Sequence, residues 1–108
     1  MTIDPNEAIN FMIKNSEAYA NAKAQVVYLT EYRKTVKALG FQRSLKNTMA
    51  EKEADAYTTV EYATCVEGLK EAVAEAERLR WMLVAAQARV DVWRSQEASN
   101  RSIERSTH

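Results

Sequence analysis

Only three residues in this chain, Pro5, Gly40 and Gly68, are of the types that interrupt regular helices. An all-β fold needs many tight turns, and turns draw heavily on Gly and Pro, so this scarcity argues against one. The residues that dominate instead (Ala, Glu, Lys, Arg, Leu, Val) lose little on entering a helix. The expected fold class is all-α, and 108 residues suit a single domain, 1–108.

The first helix has a readable start. In "DPNE", Asp4 stands as N-cap, Pro5 occupies the first helical position, and Glu7 sits where a capping-box carboxylate belongs. Ile9, Met12, Ser16, Tyr19, Ala22, Val26, Leu29 and Val36 then recur at helical spacing, with Arg33 as a lapse in the seam. Gly40 is the natural stop after Leu39, because glycine can take the left-handed conformation. The helix is expected over roughly 5–39, a length of about 52 Å.

The middle, roughly 41–57, is expected to be irregular or a short helix, with "TMAE" (Thr48 to Glu51) at capping-box spacing. A second long helix is expected over roughly 59–96, capped by Thr58 with Glu61 at its third position. Its seam is clean: Leu69, Ala72, Ala76, Leu79, Leu83, Ala86, Val90 and Trp93, every step three or four. Gly68 lies inside this helix and costs about 1 kcal/mol relative to Ala. The tail, roughly 97–108, is polar and expected to fray. Two long helices with a short connection make a long antiparallel hairpin, coiled-coil-like, assembling into a helical bundle.

Self-assembly is expected because both helices are apolar on two sides. Residues two apart point about 200° apart in a helix. Trp81, Ala85, Ala88 and Val92 therefore oppose the Leu79–Leu83–Ala86–Val90 seam, and Ala20, Ala24 and Val27 oppose the seam of the first helix. A hairpin partner covers only one side. The bland reading is exposed alanine that needs no cover, but the tryptophan weighs against it. The favoured cover is a second copy, giving a homo-oligomer, dimer or higher.

Nothing in the chain points to catalysis. The single histidine, His108, ends a polar tail, and Cys65 has no partner histidine. There is no Cys/His cluster for zinc and no Gly-rich phosphate loop. Glu67, Glu71 and Glu75 share a helical stripe, but the Glu-x-x-His pairs of di-metal bundles are missing, so a solvated face is expected. No enzyme activity, metal, cofactor or small-molecule ligand is therefore expected. The longest purely apolar run, Trp81–Ala86, falls far short of the roughly 20 residues of a bilayer span. The opening "MTIDPNEAINFM" lacks the pattern of a signal peptide, and one cysteine allows no internal disulfide. A cytoplasmic protein with no membrane partner is expected.

Fifteen cations balance fifteen acids, so only a local patch could attract nucleic acid. From Arg33 to Lys46 there are five cations (Arg33, Lys34, Lys37, Arg43, Lys46) and no acid, with Tyr32 and Phe41 close by. Such a set suits phosphate contact and base stacking. It equally suits cations that complement the C-terminal end of a helix and stay solvated. Residues 51–77 carry eight acids against Lys52 and Lys70, an anionic face that could dock on a basic protein.

The segments "MIKNSEAYANAKAQVVYLTEYRKTVKAL" and "LRWMLVAAQARVDVWRSQEASNR" resemble small, mostly uncharacterised helical proteins encoded by bacteriophages and prophages. The resemblance covers both long helices, with "AYANAKAQ" and "AAQARVDVWRSQEASNR" its most specific strings. It implies a phage-derived protein in the cytoplasm of a bacterial host and brings no catalytic residues. With the charge pattern, it leads to a non-enzymatic accessory protein in DNA replication or recombination. That protein would be an oligomeric helical module contacting DNA or a phage or host DNA-handling protein. The alternative is a protein-binding module, such as an inhibitor of a host factor, using its acidic and Trp-rich helix surface.

Overall fold

The computed structural model describes residues 4–107. Among them are three α-helices and no strand: α1 (Pro5–Arg43), α2 (Met49–Tyr57) and α3 (Val60–Thr107). The chain is an all-α helical hairpin with a short helix in its connection. No helix among the described residues is long and apolar enough to cross a membrane.

Local chemistry sets most of the helix ends. The Asp4 carboxylate accepts from the Asn6 N–H at 2.9 Å, which satisfies one of the orphan donors at the start of α1. Thr48 caps α2, its Oγ1 accepting from the Glu51 N–H at 3.1 Å. The cap of α3 is Thr59 rather than the expected Thr58: the Thr59 Oγ1 accepts from the Tyr62 N–H at 3.1 Å. Thr58 instead closes α2, donating its N–H and hydroxyl to the Asp55 carbonyl. Neighbouring threonines offer the same cap chemistry, and the tight junction between helices assigns one to each.

Two expected helix ends are corrected. α1 runs past Gly40 to Arg43, and no glycine has a positive φ. Gly40 is a contact rather than a stop: a Cβ there would lie 3.1 Å from the Ala56 Cα. The closing bond comes later, from the Ser44 N–H to the Phe41 carbonyl at 3.3 Å. At the other end, α3 continues through the polar tail to Thr107. Ser106 and Thr107 hydroxyls donate to the carbonyls three residues back there. His108 lies outside the described residues.

Packing divides the chain into two compact units, one joining α1 up to Tyr19 with α3 from Arg78, the other spanning Ala20–Glu77. In the first unit, Ala8 and Phe11 of α1 and Ala85, Ala86 and Met82 of α3 line a common groove. Leu79, 4 % exposed, is the largest well-buried side chain of this unit. Burying a leucine that fully contributes about 1.5–3 kcal/mol. In the second unit, the Cys65 thiol of α3 faces the Leu29 carbonyl of α1 at 3.9 Å, a weak contact between the two helices. The α2 helix docks on α1 there through Ala56, which is fully buried.

The α3 seam holds residue for residue. Leu69, Ala72, Ala76, Leu79, Leu83, Ala86, Val90 and Trp93 are all buried or half-buried. The α1 seam is shifted by one residue at its beginning. Ala8 and Asn15 take the inward places expected for Ile9 and Ser16, which are exposed. From Ala8 to Gly40 one row of buried and half-buried residues alternates steps of four and three, a seven-residue repeat of the coiled-coil kind, with Phe11, Thr30 and Lys37 half-buried beside it. Arg33 falls in that repeat and is half-buried. Among the described residues, four of the seven buried hydrophobic ones are alanine, so the helices approach closely over a thin core.

Candidate functional site

The expected cationic patch does not stay a free patch. Lys37 ion-pairs with Glu53 of α2 at 3.0 Å, and its ammonium lies 4.5 Å from the Tyr57 ring centroid. The Tyr57 hydroxyl first, then the Glu53 carboxylate, push the Lys37 pKa above its ordinary value by favouring the charged form. Lys34 pairs with Glu31 one turn back at 3.2 Å, an exposed pair of little energetic weight. Phe41 is half-buried, with the Lys52 ammonium 5.9 Å from its ring. These contacts use Lys37 and Phe41 to hold the α2 corner.

The other members remain at the surface. Arg43 and Tyr32 line one groove of about 420 Å³, but Asp55 and Glu61 line it too, so its charge is mixed. Lys46 is exposed in the segment between α1 and α2, and Arg33 sits half-buried at the seam. Among the described residues no ion pair engages Arg33, Arg43 or Lys46. Of the seven residues expected to contact nucleic acid, the fold thus gathers only Tyr32 and Arg43 in one groove.

The second apolar stripe is exposed throughout. In the first unit, Trp81 is 59 % exposed and Val92 47 %, and Ala85 and Ala88 are exposed between them. The Arg80 guanidinium lies 4.9 Å from the Trp81 ring centroid, which leaves the apolar ring at the surface with a cation beside it. In the second unit, Ala20, Ala24 and Val27 are exposed, and α2 leaves them so. No group of three or more metal-ligating side chains occurs among the described residues, and the Glu67–Lys70 pair at 3.6 Å is solvated.

Two features were not anticipated. Tyr28 and Tyr32 stack on the surface of α1, centroids 5.7 Å apart and rings within 9° of parallel. Their i, i+4 spacing was the available signal, since such residues are helical neighbours. Beside them a groove of about 380 Å³ opens between α1 and α3, lined by Leu29, Tyr32, Val36, Val60, Cys65 and Gly68 among others. The Gly68 notch gave no periodic signal, because a missing side chain leaves none.

The chain matches no protein-family model, and no curated protein or solved structure is significantly similar to it.

Proposed function

We propose that this chain is a non-catalytic helical module that works by binding other helices, its own copies first among them. The observation that carries this reading is the exposure of Trp81 and Val92 over a core built largely of alanine. Large apolar side chains aligned in a stripe outside a thin core support a surface that another molecule covers. A partner helix laid along Trp81, Ala85, Ala88 and Val92 would remove that area from water, with the tryptophan as anchor. Light scattering at micromolar concentration tests the reading: it expects a mass of two chains or more. A monomeric mass across that range refutes self-association. Trp81→Gln together with Val92→Gln is expected to weaken any complex formed through this stripe while the helical signal persists.

A second reading is direct contact with DNA, favoured by the shared groove of Tyr32 and Arg43 and by the exposed Lys46 beside α1. Its setting would be phage DNA replication or recombination in a bacterial cytoplasm, which rests on the resemblance of the two long helices alone. Mobility shifts across a salt series test it. Binding should fall steeply with salt and should weaken in Arg33→Ala, Arg43→Ala and Lys46→Ala combined. No shift at low salt, or a shift indifferent to those changes, removes this reading.

A further inference from the structure

We infer that two copies of the chain pair two-fold through the groove at Gly68, the stacked Tyr28 and Tyr32 of each filling the notch of the other. This rests on the reading of the chain as a self-associating module and names a further surface for it, in the second unit rather than at the Trp81 stripe.

The glycine is the first observation. Gly68 lies within α3, and a Cβ there would meet one neighbour only, the Leu29 Cδ1 at an ordinary 3.9 Å. Packing within the chain therefore does not demand glycine, although glycine is the costlier residue in a helix. The space faces the apolar groove formed with Leu29, Val36, Val60 and Cys65.

The second observation is that the two banks of this groove are complementary to each other. The α1 bank is bulky: Tyr28 is 58 % exposed, Tyr32 44 %, and Leu39 continues the row. The α3 bank begins with Val60 and Glu61 and is low at Thr64 and Gly68. A two-fold axis running along the hairpin of this unit sets each α1 over the α3 of the other copy, antiparallel and at the same height. Bulk then meets hollow twice, as an isologous contact requires. All neighbouring helices become antiparallel, the arrangement of an up-down bundle.

Charge selects the same arrangement. Of the acids that line the grooves of this face, Glu61 stands on α3 and Asp55 on α2, whereas α1 contributes Tyr32 and Arg43. Laying α3 against α3 would oppose acids to acids. Laying α1 against α3 offers Glu61 the Tyr32 phenol and the Arg43 guanidinium instead.

Sedimentation equilibrium of the full chain tests the inference, with far-UV circular dichroism as the check on folding. The wild type is expected to dimerise at micromolar concentration. Gly68→Gln fills the notch with a good helix former and is expected to raise the dissociation constant tenfold or more without loss of helicity. Tyr32→Glu is expected to dissociate the pair, whereas Tyr32→Lys, facing the acidic bank, is expected to weaken it far less. Trp81→Gln is expected to leave this dimer intact. A dimer that survives Gly68→Gln but not Trp81→Gln overturns this inference and leaves the module reading standing. Equal dissociation by Tyr32→Glu and Tyr32→Lys overturns the exchanged arrangement. A wild type that stays monomeric overturns both.

Discussion

Two glycines sit inside the long helices of the second unit, and they stand in opposite surroundings. Gly40 is pressed by α2: the Ala56 Cα, Cβ and carbonyl oxygen would all lie within 3.4 Å of a Cβ built there. Gly68 faces open groove, with one side-chain atom at 3.9 Å. The same residue type therefore has two explanations. At Gly40 it permits a helix-to-helix approach that the chain itself completes. At Gly68 no described part of the chain completes such an approach, and the proposed pairing would supply one.

Substitutions at the corner and in the arm can break that contrast. The largest effect is expected for Ala56→Leu. Ala56 is fully buried against Gly40, so three added heavy atoms have nowhere to go. A loss of about 3 kcal/mol is expected, at the upper end for overpacking, measured by urea denaturation. Gly40→Val is expected to cost about 1–3 kcal/mol by the same mechanism, with the better helix propensity of valine only partly offsetting it. If it were neutral, the corner would be looser than the geometry implies. Thr48→Ala removes the cap of α2 and is expected to cost about 1 kcal/mol. Gly68→Ala should run the other way, stabilising the chain by up to about 1 kcal/mol where the protein is dilute enough to be monomeric. A loss there would show that the groove is tighter than it looks.

The smallest effect is electrostatic. The pKa of Lys37 is raised above the ordinary 10.5 by its Tyr57 and Glu53 partners. A raised lysine pKa contributes stability that is fully present below the ordinary value and is lost as pH climbs through the raised one. Docking of α2 should therefore hold through neutral pH and loosen only in alkali. Lys37→Met should flatten that alkaline step, read by tyrosine fluorescence of Tyr57 and its T-shaped neighbour Tyr62 during a pH titration. The ion pair is surface-exposed, so little change in neutral stability is expected.

These contrasts also explain how much of the molecule was legible beforehand. The α3 seam was readable in full, because Leu79, Leu83 and Val90 are bulky and evenly spaced. The beginning of α1 was not. Ile9 and Ser16 satisfy three- and four-residue steps as well as Ala8 and Asn15 do, and only contact with a second helix chooses the phase. Asn15 tolerates its half-buried place because its amide donates to the Phe11 carbonyl at 2.9 Å. Gly40 was misread as a terminus because the local signals of a C-cap and of a close approach coincide in one residue. The cationic run from Arg33 to Lys46 was visible, but the partners that occupy Lys37 lie sixteen and twenty positions away on α2, beyond any periodic signal. Angles alone place a second stripe at Trp81, Ala85, Ala88 and Val92, expected to be covered by another chain, and in the single chain these residues are exposed. What covers it is a question of partners, which neither periodicity nor capping addresses.

The cysteine buried at the α1–α3 seam has a practical consequence. Cys65 is 7 % exposed, its thiol is directed at the Leu29 backbone, and the sequence contains no other cysteine. A thiol reagent reaches it slowly through the groove it lines, and faster when the two arms of this unit part. Its labelling rate is thus an intrinsic clock for local opening, needing no introduced probe. Run beside a titration of protein concentration, the same clock would tell whether a molecule laid over the neighbouring groove also holds the arms together.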